Sequence, residues 1–129
     1  MPHFHIEYSA NLDGRVDMQA LCEVVHSAVM SLGPYPLGGL RVRAFRSDAY
    51  AIADMLPENA FIDMSFRIGA GRSDEDKKRT GEVIFKAVAD HLSELFASPH
   101  FMLSLEIREI DPDLSWKKNS IHARLNAKG

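Results

Sequence analysis

The sequence predicts an α+β fold in which two βαβ units form one four-stranded mixed sheet with two helices on one face. Three observations predict it. Apolar residues alternate with polar ones in four short runs. Two longer stretches repeat apolar residues every three or four positions. These segments follow one another as strand, helix, strand and again strand, helix, strand, the second set offset from the first by roughly sixty residues.

The first strand is predicted over residues 2–8, where Phe4, Ile6 and Tyr8 alternate with His3, His5 and Glu7. Asn11-Leu12-Asp13-Gly14 is a turn signal. Met18, Leu21, Cys22, Val25, Val29 and Leu32 then mark one face of a helix capped by Asp17 and stopped by Gly33. Pro34 and Pro36 prevent its continuation. Leu40, Val42 and Ala44 alternate with Arg41 and Arg43 as the second strand, and residues 50–53 are ambiguous. Residues 60–68 read as a long strand with Ala60, Ile62, Met64, Phe66 and Ile68 on one face and Asp63, Ser65 and Arg67 on the other. Gly69-Ala70-Gly71-Arg72-Ser73 breaks it. Ser73 is a helix N-cap with Asp76 three residues on, a near capping box, and Asp74 and Glu75 add charge where the helix dipole favours it. Ile84, Phe85, Val88, Leu92, Leu95 and Phe96 stripe a helix of about six turns that ends before Pro99. Leu103, Leu105 and Ile107 alternate with Ser104, Glu106 and Arg108 as the fourth strand, which Pro112 ends. The tail carries Trp116, Ile121, His122 and Leu125. Each unit is expected to cross over right-handedly between parallel strands, giving a two-layer sandwich of ferredoxin-like appearance.

The chain has 129 residues, 46% hydrophobic and 26% charged, which is the profile of one globular domain over residues 1–129 with no need of disulfides for its core. Cys22, the only cysteine, falls in the apolar pattern of the first helix and reads as a packed thiol. The start lacks a basic stretch followed by an apolar run, and no apolar segment approaches a bilayer span, so the expected location is cytoplasmic, without a membrane partner. The net charge of -3 argues against a generic nucleic-acid binder. The outward strand positions, mostly charged and polar, also lack the aromatics of a nucleic-acid sheet platform. Any anion binding must come from local arginines.

Three residues are candidates for chemistry. Pro2 follows Met1 at the head of a predicted strand. With Met1 removed, its nitrogen would be a secondary amine held in place by the strand, a base or nucleophile no other position supplies. Arg41 follows Leu37-Gly38-Gly39-Leu40 at a strand start, where glycines permit close approach and a planar guanidinium matches a carboxylate bidentately. By itself it also reads as an ordinary solvated strand residue or as a partner for Glu7 or Glu106. Arg72 lies at a glycine-rich strand-to-helix junction that favours anions. There Asp74, Glu75 and Asp76 are competing partners, and the segment lacks the lysine and the glycine spacing of a phosphate loop. His3 and His5 share a strand face but lack an evident third ligand, so no metal site is expected. His26 and His91 fall in the predicted helices. No nucleophile elbow or HExxH motif is present.

Together these residues point to a family. Met1-Pro2-His3-Phe4, the Tyr-Pro-Leu-Gly-Gly-Leu-Arg segment at residues 35–41 and Ile68-Gly69-Ala70-Gly71-Arg72-Ser73 resemble the tautomerase superfamily, and within it the 5-carboxymethyl-2-hydroxymuconate delta-isomerases. The likeness continues through Ser104-Leu105-Glu106-Ile107 and Trp116-Lys117-Lys118-Asn119-Ser120-Ile121-His122, covering nearly the whole chain in order. The resemblance implies that Met1 is removed and that Pro2 is the general base, moving a proton from the 2-hydroxyl of a dienol to a distant carbon to give an α,β-unsaturated ketone. It implies that Arg41 and Arg72 hold the carboxylates of a di- or tricarboxylate substrate, that no cofactor or metal takes part, and that the chain forms a homotrimer of the tautomerase/MIF-like fold. The pathway it implies is bacterial breakdown of homoprotocatechuate. The chemistry is consistent: an α-amino group titrates near roughly 7.7–8.0 and a secondary amine somewhat higher, while burial and adjacent arginines lower it toward the neutral form a base needs.

Other members of the superfamily share the amino-terminal proline but tautomerise phenylpyruvate-type enols, or hydrate or decarboxylate unsaturated acids, in some cases with a protonated proline as acid. A non-catalytic trimer on this fold is the reading from a different class. The residues assign no role to His5, Tyr50, Trp116 or Asn119.

Overall fold

The structure, a computed structural model, describes residues 2–127. Its elements are β1 (His3–Ser9), α1 (Met18–Ser31), β2 (Arg41–Ser47), β3 (Ala60–Gly69), α2 (Asp74–His91), β4 (Phe101–Ile110) and α3 (Ser120–Ala127). The sheet order is β2-β1-β3-β4. β1 pairs with β2 and β3 with β4 in parallel, while the central pair β1 and β3 runs antiparallel. Each βαβ unit is therefore closed on itself, with no strand inserted between its two, and the units meet back to back at the middle of a mixed sheet.

Local signals set the helix starts. The Asp17 side chain accepts the Ala20 N–H at 3.0 Å and the Ser73 hydroxyl accepts the Asp76 N–H at 3.1 Å, each satisfying a donor that the first turn leaves open. Gly33 follows α1 with φ +95°, the left-handed conformation that ends helices. Leu21, Val25 and Val29 of α1 and Ile84 and Val88 of α2 are fully buried against Phe4, Ile6, Ile62, Met64, Phe66 and Ile68 of the central strands. Cys22 packs beside them, and burial, followed by the Glu23 charge, pushes its thiol up, which keeps it protonated and inert.

Several boundaries differ from expectation. β1 begins at His3, so Pro2 precedes the strand. α2 stops at His91, and Leu95 and Phe96 belong to a 3₁₀ segment, Ser93–Ala97, in place of a sixth α-turn. The spacing of those apolar residues suits either geometry, and a tightened 3₁₀ end is common where the chain turns. β2 runs on to Ser47 and β4 spans Phe101–Ile110, because pairing with a neighbouring strand extends both past their alternating cores. Residues 50–53 are irregular, with Ala53 at φ 50°. The tail adds a third helix, α3, which docks on the 3₁₀ turn Leu37–Gly39.

Candidate functional site

Pro2 is buried one residue ahead of β1. Its carbonyl accepts the Arg41 N–H at 3.2 Å, the first rung beside a parallel ladder in which His3 lies level with Arg41. On its other side His3 lies level with Arg67. One further step of that antiparallel register brings Pro2 beside Ile68, next to Gly69. The starts of β1 and β2 and the end of β3 thus share one end of the sheet, which gathers Pro2, Arg41 and the glycine-rich junction carrying Arg72.

Arg41 is half-buried, and its Nη1 donates to the Gly39 carbonyl at 2.8 Å. Glu106, one carboxylate expected for it, instead accepts from Arg108 Nε at 2.7 Å. Arg72 follows Gly71, whose φ of +108° turns the chain as a side-chain-bearing residue rarely does. Its Nη1 donates to the Gly69 carbonyl at 3.1 Å and its Nη2 to the Pro34 carbonyl at 3.4 Å. Its guanidinium carbon stands 4.4 Å from the centre of the Tyr35 ring. The acids after it, named above as competing partners, do not pair with it: Asp74 pairs with Lys77 at 3.2 Å, and among the described residues no carboxylate pairs with Arg72. The reason is geometric, since Asp74–Asp76 sit in the first turn of α2 while Arg72 folds back over β3. Its Nε is buried with no hydrogen-bond partner among the described residues.

Positive charge dominates the surroundings. The His3 imidazole is pushed down to about 4, first by burial and then by Arg41, Arg67 and Arg43. His5 is lowered for the same reasons, with Arg43 its leading charged neighbour. Arg43 turns its nitrogens to Nδ1 of His3 at 3.4 and 3.5 Å and to Nε2 of His5. Those contacts require both ring nitrogens to be unprotonated acceptors, in keeping with neutral rings. His26 and His91 lie on the helices as expected. A groove of about 690 Å³ between α2 and β4, lined by Lys77, Gly81, Phe85, Leu105 and Ile107 among others, contains none of the three candidates.

Two side chains at the site lie in segments that carry the family resemblance but receive no role from the sequence. Tyr35 is buried, stacks on Phe66 with ring centres 5.4 Å apart, and exchanges a hydrogen bond with Thr80 at 2.8 Å. Its local signal is an aromatic residue set between two prolines. Asn119 donates to the Gly38 carbonyl at 2.8 Å from 81 residues away, and its signal is an asparagine just before a helix. What the arrangement offers chemically is two guanidinium groups each held by backbone carbonyls, and around His3 a positive field from Arg41, Arg67 and Arg43 that disfavours any further cation nearby.

Comparison with known proteins bears on this arrangement. The profile of the 5-carboxymethyl-2-hydroxymuconate isomerase family matches residues 2–125. The 5-carboxymethyl-2-hydroxymuconate Delta-isomerase of Escherichia coli is 37% identical over 123 residues, 95% of this chain and 98% of that one. The crystal structure of a 5-carboxymethyl-2-hydroxymuconate isomerase from Deinococcus radiodurans R1 superposes with a TM-score of 0.89 at 41% identity, covering 96% of this chain and 93% of that one. A fused 4-OT symmetric trimer, 16% identical with a TM-score of 0.67 over 94% of this chain and 98% of that one, shares the fold alone.

Proposed function

The chain belongs to the 5-carboxymethyl-2-hydroxymuconate isomerase family, within the tautomerase superfamily, and we propose that it works through Pro2, freed by removal of Met1, with Arg41 and Arg72 holding the substrate carboxylates. It is an isomerase whose substrate is 5-carboxymethyl-2-hydroxymuconate. The Pro2 nitrogen takes the proton from the 2-hydroxyl of the dienol as the carbonyl forms, and the conjugated system receives a proton at its far carbon. One O–H bond breaks and one C–H bond forms, so the proline ends as it began, and no electrons enter or leave. The dienolate formed between the two transfers is anionic, and fixed guanidinium groups stabilise that charge as it develops.

The observation that supports this most is the hydrogen bond from the Arg41 N–H to the Pro2 carbonyl at 3.2 Å, which ties the proposed base to a proposed carboxylate ligand through the backbone. The fate of His3 adds to it. One residue along the chain, burial and three arginines hold an imidazole neutral down to about pH 4. The same surroundings disfavour a prolinium ion, and each unit by which an amine is lowered corresponds to about 1.4 kcal/mol. A neutral amine near pH 7 is what general-base catalysis requires.

A homotrimer in the cytoplasm belongs to the same reading. Among the described residues, no helix is long and apolar enough to cross a membrane.

The test is the ultraviolet-monitored isomerisation of 5-carboxymethyl-2-hydroxymuconate by protein whose intact mass confirms the loss of Met1. Turnover should fall by about 10²–10⁴, the usual worth of a general base, in Pro2→Ala and in protein extended at its amino terminus, with the fold unchanged by circular dichroism. Full activity with Met1 or a tag retained would sink the mechanism.

A further inference from the structure

We propose that Asn119 is a positioning residue for Arg41, acting through the Leu37–Gly39 turn; this rests on the carboxylate-binding role given to Arg41 above. The two residues are distant in sequence and linked through two hydrogen bonds to the successive carbonyls of Gly38 and Gly39. Asn119 Nδ2 donates to the Gly38 carbonyl at 2.8 Å, while its Oδ1 accepts the His122 N–H at 3.0 Å. The second bond caps α3, and the first fastens that helix to the turn. Only this orientation of the amide satisfies both partners, because a carbonyl must receive a donor and an N–H an acceptor. The next carbonyl along, that of Gly39, takes Nη1 of Arg41 at 2.8 Å.

The turn needs this support. Its own backbone bonds are Gly39 N–H to Pro36 at 3.1 Å and Leu40 N–H to Leu37 at 3.3 Å. Two successive glycines give it more conformational freedom than any other pair of residues would. The close fit also shows why glycine is needed: a Cβ on Gly38 would lie 2.7 Å from His122 Cα and 2.8 Å from its Nδ1. α3 has no buried residue, so its order depends on this docking. Without Asn119 the Gly38–Gly39 segment is free to rotate, and the Gly39 carbonyl ceases to fix the Arg41 guanidinium. Asn119 touches no substrate; it sets where Arg41 can receive one.

The experiment is a double-mutant cycle on the Met1-free enzyme, with KM, kcat and thermal melting measured for Asn119→Ala, Arg41→Ala and both together. Asn119→Ala is expected to raise KM about tenfold with a smaller change in kcat, and to add nothing further once Arg41 is alanine, the non-additivity of residues that act as a unit. Asn119→Asp keeps the acceptor that caps α3 but loses the donor to Gly38, so it should reproduce the KM change with a smaller loss of melting temperature. The same fold-increase in KM in the Arg41→Ala background would overturn the proposal. So would a wild-type KM in Asn119→Ala when Arg41→Ala is impaired. Unchanged kinetics in Arg41→Ala would instead remove Arg41 from the site, refuting the carboxylate reading and this inference with it.

Discussion

The guanidinium of Arg72 rests on the face of Tyr35, 4.4 Å from the ring centre, and Tyr35 is itself fixed by Phe66 and Thr80. A cation over an aromatic face is worth about 0.5–2 kcal/mol, more as water is excluded. Tyr35→Leu should therefore loosen Arg72 and raise KM by up to about tenfold, whereas Tyr35→Phe keeps the ring and should leave KM near wild type. The phenylalanine variant should still lose about 1 kcal/mol of stability, because it strands the buried Thr80 hydroxyl. Steady-state kinetics and chemical denaturation of both variants separate the two effects. Equal KM values would show that the ring does not hold Arg72.

Arg72 also uses its shape. Its two terminal nitrogens reach the Gly69 and Pro34 carbonyls while its plane lies on Tyr35. A lysine at this position has a point charge and cannot make these contacts together. Arg72→Lys should raise KM by about tenfold, equivalent to ~1.4 kcal/mol, despite conserving charge. A wild-type KM would mean that charge alone suffices.

The neutral His3 carries a pH signature. Its folded value of about 4 lies below the ordinary 6.5, so between those values the unfolded chain binds more protons. The stabilisation is complete above pH 6.5, falls as pH drops toward 4, and changes no further below it. Melting temperature should decline through this window more steeply in the wild type than in His3→Gln. Partial exposure and added salt both reduce the size of the effect. Parallel profiles for the two proteins would contradict the assignment.

Phe66 is fully buried, stacked on both Phe4 and Tyr35. Phe66→Ala should cost about 3–5 kcal/mol of unfolding free energy. Because Tyr35 loses its support, KM should rise too in whatever fraction remains folded. Denaturant titration with activity measured below the transition checks both.

What the sequence made legible was local. Asp17 and Ser73 announce their helices because a cap acts within three residues, and β3 announces itself because it is buried by strict alternation. Proline and glycine neighbours pointed to Pro2, Arg41 and Arg72, but what each arginine would grip was not legible. Their partners are backbone carbonyls, which every residue possesses and no motif marks. α3 was invisible because its stability comes from a turn 81 residues earlier, through Asn119 and Gly38. The end of α2 was misjudged because Leu95 and Phe96 keep a spacing that α- and 3₁₀-helices both accept.

β1 is the first strand synthesised and lies second in the sheet, with its partners on either side still to come. Its antiparallel neighbour places Arg67 opposite His3, so the pairing cannot close until more than half the chain exists. Contacts of such sequence separation form late and slow folding. During synthesis the amino terminus thus waits about forty residues for β2, and longer for β3, which is several seconds at bacterial rates of roughly 5–20 residues per second. Removal of Met1, on the proposal made above, would have that interval before the sheet encloses Pro2. Sheet order thereby sets when the proposed base is enclosed during translation.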